Sequence, residues 1–70
     1  MSRYRVEFDW PPGVQGEAGC DLDAETWAMA KLQAAMIFAG ATFEDAAPIG
    51  YRILQNGDTE VYRYPEPSFH

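Results

Sequence analysis

The chain has very few of the residues from which catalytic and metal sites are built. It contains one cysteine, Cys20, and one histidine, His70, which is the last residue. A single cysteine excludes an internal disulfide and a metal site made of several cysteines. Nucleophilic catalysis needs a nucleophile, a base and an orienting group, and Cys20 has no histidine or basic residue near it in the sequence. We therefore expect no enzymatic activity, no cofactor and no bound metal.

Basic residues are also scarce. Eleven acidic residues stand against five basic ones, which gives a formal net charge of −6. Such a surface repels phosphates, so direct binding of nucleic acid or anionic lipid is disfavoured and a basic protein partner is expected. The same charge also suits the solubility of a small domain that has no partner.

Long apolar runs are missing. The first residues, M-S-R-Y-R-V, lack the apolar stretch of a signal peptide, and no segment is long enough to cross a bilayer. We expect a cytoplasmic protein without a membrane partner. Hydrophobic residues make up 47 % of the seventy residues and aromatic residues 14 %, which indicates one compact domain over residues 1–70.

The stretch from Asp23 to Ala39 is the only one long enough for a helix with a continuous buried face. Asp23 predicts the N-cap, and Gly40 predicts a left-handed C-terminal end. At about 100° per residue, six residues share one arc, which we predict to be the core stripe: Ala28, Met29, Leu32, Ala35, Met36 and Ala39. Trp27, Ile37 and Phe38 lie outside this arc. We favour neighbouring loops that wrap over these three side chains and cover them. The alternative is that a partner protein or a second copy of the chain covers them.

Three strands are predicted. The segment Arg3 to Trp10 alternates between apolar and charged residues, which is typical of a strand with one buried face, and Pro11-Pro12-Gly13 ends it. Residues 14–20 are predicted to be a loop, and Phe43 a loop anchor into the core. The segments Ile49–Leu54 and Asp58–Tyr64 flank Asn56-Gly57, a strong hairpin signal. The predicted fold is α+β, a single helix packed on a three-stranded antiparallel sheet, in the chain order β-α-β-β and the strand order 1-3-2.

The register of this hairpin depends on its loop. A three-residue loop, Gln55 to Gly57, places Arg52 opposite Glu60 on the outer face and Tyr51 opposite Val61. A two-residue turn instead pairs Tyr51 with Tyr62. We favour the first register because it pairs opposite charges across the strands.

Carboxylates cluster around the predicted helix ends and the hairpin. Asp21, Asp23 and Glu25 have the spacing of the start of a calcium loop, but Thr26 and Leu32 occupy the positions that need Gly and Glu. Surface carboxylates can instead substitute for nucleic-acid phosphates in a basic groove. The candidate partner-binding residues are Asp21, Asp23, Glu25, Glu44 and Asp45, with Asp58 and Glu60 as second choices. A solvated acidic surface without a partner is the alternative.

The short acidic chain, the strand Tyr4 to Trp10, the single helix and the Asn56-Gly57 hairpin together resemble anti-CRISPR proteins, in particular the acidic inhibitors of type I systems, including the type I-C branch. The resemblance implies binding to a CRISPR surveillance complex at the site where its large subunit reads the protospacer-adjacent duplex. Anti-CRISPR proteins share no diagnostic motif, so the resemblance does not assign a role to any particular residue of this chain.

These observations give two hypotheses of function. The leading one is a monomeric acidic inhibitor that enters the basic DNA-reading groove of a CRISPR complex as a nucleic-acid mimic. The resemblance implies that such an inhibitor is encoded by a phage. The alternative is a structural or regulatory interaction module, in which Trp27, Ile37 and Phe38 form a homodimer or partner-helix contact. Their salt dependence separates the two hypotheses, because a charge-driven complex weakens as salt rises.

Overall fold

A computed structural model describes residues 3–66, which form four strands and one helix. In chain order these are β1 (Tyr4–Asp9), β2 (Gly19–Leu22), α1 (Trp27–Gly40), β3 (Gly50–Gln55) and β4 (Thr59–Tyr64). The strands form one antiparallel sheet in the order β2-β1-β3-β4, and α1 packs on one of its faces. The α+β class with a single helix is confirmed, whereas the prediction of three strands is wrong. His70 lies outside the described residues.

The additional strand, β2, changes the topology of the sheet. Its residues pair with β1, with Leu22 opposite Tyr4 and Cys20 opposite Val6. The hairpin returns the chain to the end of the sheet where β1 begins, so α1 runs alongside β1 and β3 comes back antiparallel next to β1. The predicted order 1-3-2 is wrong. It required the helix to bring the chain back to the end of the sheet where β1 begins, whereas β2 does this in the structure. Gly19 permits the close pairing, because a Cβ at this position would overlap with the Val6 carbonyl oxygen.

The helix presents the opposite face to the sheet from the one predicted. Ala30 and Ala34 are fully buried against the sheet, and Phe38 packs beside them. Small side chains at the contact let a helix approach a sheet closely. The arc that we predicted to be the core stripe points away from the sheet. Periodicity could not decide between the two faces because the helix is apolar on both.

Aromatic rings fill the space on either side of Ala30 and Ala34. The Phe38 ring centroid lies 4.8 Å from that of Tyr51 and 5.5 Å from that of Tyr64. At the other end of α1, the Trp27 ring lies 6.0 Å from Tyr4 and 6.3 Å from Tyr62. The sheet thus contacts Trp27 and Phe38, which we had expected wrapping loops or a partner to cover.

Both helix ends differ from the prediction. Thr26 is the N-cap, and its hydroxyl accepts a hydrogen bond from the Met29 N–H at 3.2 Å. Residues 23–26 form a non-helical connection between β2 and α1, so the N-cap lies three residues after Asp23. At the other end α1 continues through Gly40, which is not in the left-handed region, and the Ala41 N–H donates to the Phe38 carbonyl at 3.2 Å.

Neither predicted register of the β3–β4 hairpin is correct. Gln55 pairs with Thr59 across a three-residue loop, and Arg52 lies opposite Arg63. Asn56 and Gly57 adopt left-handed conformations, and the Asn56 N–H donates to the Arg3 carbonyl at 2.7 Å, which fixes the loop to the start of β1. Opposite Ile53 and Leu54, β4 contains a bulge of one extra residue, which shifts the faces to which its side chains point. It keeps Glu60 on the outer face while Tyr62 and Tyr64 contact the helix side.

The buried position of Ala34 gives a direct test of the helix orientation. Ala34→Leu should lower the free energy of unfolding by about 1 to 3 kcal/mol, because the extra atoms have no room between helix and sheet. Ala35→Leu, one residue further along and exposed, should change it by less than about 0.5 kcal/mol. Urea denaturation of both variants measures the difference. Equal losses would contradict the described orientation of α1.

Candidate functional site

The exposed side of α1 is apolar along its whole length. We call it the outer helix face, and it consists of Ala28, Met29, Leu32, Ala35, Met36 and Ala39. All six residues are exposed, with Leu32 at 63 % and Met36 at 66 %. The only charged residue of the helix is Lys31, which lies outside this face. Contiguous apolar surfaces of this kind are often sites of interaction between proteins.

The spacing on the outer helix face matches a helix-packing pattern. Ala28, Leu32, Ala35 and Ala39 follow one another at intervals of four, three and four residues, which is the spacing of the contact positions of a coiled coil. Met29 and Met36 flank this row and are seven residues apart. Alanine permits close approach of a second helix, and methionine adapts to irregular surfaces. The pattern was visible in the sequence, but we interpreted it as the contact with the sheet.

The two polar residues that border the outer helix face are held by the protein itself. The Lys31 ammonium lies 5.8 Å from the Trp27 ring centroid and 5.0 Å from that of Tyr62, within the range of cation–π attraction. On the other border, the Gln33 side-chain amide donates to the Asp23 carbonyl. These contacts draw both side chains away from the exposed apolar row.

The sheet face opposite the helix carries charges of both signs. Arg5 pairs with Glu7 and Asp21, each at 3.4 Å, and Arg52 lies 3.6 Å from Glu7 and 3.5 Å from Asp9. The candidate carboxylate of Asp21 is therefore in an ion pair. These arginines neutralise most of the acidic side chains on this face.

Glu60 is also in an ion pair, but not with the predicted residue. Its partner is Arg63, which lies on the same strand at 2.8 Å, and not Arg52. The hydrogen bond from Arg63 holds the pKa of Glu60 below its ordinary value. The same contact raises the pKa of Arg63. Glu60 is thus less available to a partner than a solvated carboxylate.

The other candidate carboxylates lie at two opposite ends of the molecule. Asp23, Glu25 and Asp58 lie at the end where β1 begins. Glu44 and Asp45 lie in the connection after α1, at the end where β3 begins. A six-residue strand, about 20 Å long, separates the two ends. Within residues 3–66 none of these five carboxylates is in an ion pair, but they do not form one cluster.

Glu44 and Asp45 are held at the tip of a tight turn. The N–H of Phe43 donates to the Ala46 carbonyl at 2.8 Å, and the N–H of Ala46 donates to the Phe43 carbonyl at 2.9 Å. Both carboxylate residues have left-handed φ values, 50° and 67°, as in a type I′ turn. Glutamate rarely adopts this conformation, and the turn fixes the direction of two exposed side chains.

A cleft of about 410 Å³ lies between the C-terminal end of α1 and the start of β2. Its wall includes Trp10, Cys20, Ile37 and Phe43. Phe43 packs edge-on against Trp10 with 6.3 Å between ring centroids, so it stabilises this rim and is not the core anchor that we predicted. The thiol of Cys20 is free. No group of three potential metal ligands occurs in the part of the chain that the structure describes.

No protein-family model, no curated protein and no solved structure matches this chain. Of the helical segments in residues 3–66, none combines the length and apolar content needed to span a bilayer.

The contact between Glu60 and Arg63 predicts a measurable titration. A pKa lowered in the folded state means that the pair stabilises the fold above the ordinary pKa of glutamate and loses this effect as the pH falls through the lowered value. Carboxyl-detected NMR titration should place the pKa of Glu60 below that of an ordinary glutamate. Arg63→Gln should return it to the ordinary range, and Arg3→Gln should not. An unchanged pKa in Arg63→Gln would contradict the pairing.

Proposed function

We propose that this protein is a small binding module without catalytic activity of its own, which docks on a partner protein through the outer helix face. The observation that carries this proposal is the exposure of Leu32 and Met36 in a wholly apolar row. This proposal corresponds to the alternative hypothesis from the sequence. The contact surface, however, lies on the side of the helix opposite to Trp27, Ile37 and Phe38.

The size of this face sets the expected strength of binding. Fully burying a leucine or methionine side chain contributes about 1.5 to 3 kcal/mol, so Leu32 and Met36 would dominate the contact. A fourteen-residue helix is only about 21 Å long. A contact limited to it belongs to the small interfaces, below about 1,200 Å² in total, which are typical of transient complexes.

Substitution at Leu32 tests this function. Leu32→Asn removes one of the two most exposed large apolar side chains of this face without altering the core, so captured partners should be lost from a pull-down with the tagged protein. Ile49→Asn is the matched control, since Ile49 is 61 % exposed and lies outside the helix; it should retain the same partners. Thermal denaturation verifies that both variants fold. Equal recovery with both variants would contradict docking through the outer helix face.

The second candidate function is the acidic inhibitor, which would block target-DNA recognition by a CRISPR surveillance complex through nucleic-acid mimicry. The fixed turn at Glu44 and Asp45 favours it, because a phosphate mimic needs anions that are held in place. Non-glycine residues in such backbone conformations cost about 1 to 3 kcal/mol, persist only where the surrounding structure holds them, and cluster at functional sites.

This second function can be tested without disturbing the turn. Changing Glu44→Asn and Asp45→Gly together removes both charges and installs the residues that type I′ turns prefer. We expect this variant to lose inhibition of duplex binding by a purified type I complex. Asp23→Asn combined with Glu25→Gln, at the other end, should still inhibit. Inhibition by both variants at the wild-type level, or none by the wild type, would contradict this candidate.

A further inference from the structure

The outer helix face has carboxylates beyond both of its ends. Asp23 and Glu25 precede the N-cap of α1, and Glu44 and Asp45 follow its last residue within one short connection. All four are exposed and, among residues 3–66, none is in an ion pair. The face is therefore an apolar row with negative charge at each end.

From this arrangement we infer that the occupant of the outer helix face is a partner helix with a bulky apolar seam and basic residues beyond both of its ends. The inference rests on the proposed binding function and specifies the chemistry of its partner. Alanines at three of the four seam positions leave room for leucine or isoleucine from the other helix at an interaxial distance of about 8 Å. Lysine or arginine at its ends would meet the four carboxylates.

A second copy of the chain fits this face poorly. In a parallel pair, Glu25 would lie next to the same residue of the other copy, and Asp45 likewise. In an antiparallel pair, the helix-start carboxylates would meet the Glu44–Asp45 turn. Both arrangements place like charges together at each end, and they set alanines largely against alanines. An anionic membrane is disfavoured for the same electrostatic reason, since interfacial helices rely on basic residues.

Designed peptides provide the test. One labelled helical peptide carries a leucine and isoleucine seam with two lysines beyond each end, and its counterpart has glutamates in place of these lysines. Fluorescence anisotropy at nanomolar peptide, so that the peptide does not pair with itself, measures binding to the intact protein. The lysine-ended peptide should bind about 10-fold more tightly at low salt, as expected from several exposed ion pairs. The difference should shrink in about 1 M salt, where the Debye length is about 3 Å.

Variants of the protein separate the two parts of the contact. Leu32→Asn should abolish binding of both peptides, whereas Ile49→Asn should leave it intact. Neutralising all four carboxylates, by Asp23→Asn, Glu25→Gln, Glu44→Asn and Asp45→Gly, should remove the preference for the lysine-ended peptide but retain binding through the seam. Preference that persists in this variant would overturn the inferred role of these carboxylates.

Other outcomes overturn the inference while leaving the binding function intact. If the two peptides bind equally, or neither binds, and Leu32→Asn still loses its pull-down partners, the face binds a partner of different chemistry. Sedimentation showing a dimer that strengthens with salt and disappears in Leu32→Asn assigns the face to a second copy. Binding to anionic vesicles that Leu32→Asn abolishes assigns it to a membrane.

Discussion

The close contact of Ala30 and Ala34 with the sheet determines the rest of the structure. These small side chains bring α1 near β1 and β3, while Trp27 and Phe38 project on either side onto the tyrosines of the sheet. Once this face is buried, Leu32 and Met36 must point to solvent, because they lie on the opposite side of the helix. The exposed apolar surface is thus a direct consequence of how the core is packed.

The parts of the fold that were predicted correctly have strong local signals. The alternation from Tyr4 to Phe8 predicts β1 and its buried face, and Asn56-Gly57 predicts the hairpin. The parts that were missed depend on tertiary contacts. Residues Gly19 to Leu22 form a strand only because β1 offers them a free edge. The bulge in the hairpin allows Tyr62 and Tyr64 to lie on the helix side of the sheet while Glu60 lies on the other side.

The candidate site was predicted in composition but not in arrangement. Sequence reasoning identified the row from Ala28 to Ala39 and the acidic residues around the helix, but it assigned the row to the core and left open whether the acids share one surface. A helix that is apolar on two sides gives no signal for which side faces the sheet. The fourteen-residue helix separates Asp23 from Glu44 by about 21 Å, and β2, which reverses the chain, determines the end of the sheet at which each of them lies.

The irregularity opposite Ile53 and Leu54 also affects how the molecule behaves at high concentration. Open edge strands can pair with other chains and start aggregation, and bulges and charged side chains at the edge oppose this. On β4 the bulge interrupts the regular row of backbone donors and acceptors, and Glu60 and Arg63 add charge at the same edge. At this edge of the sheet, pairing with a strand of another chain is therefore resisted, even though the same protein exposes an apolar helix face.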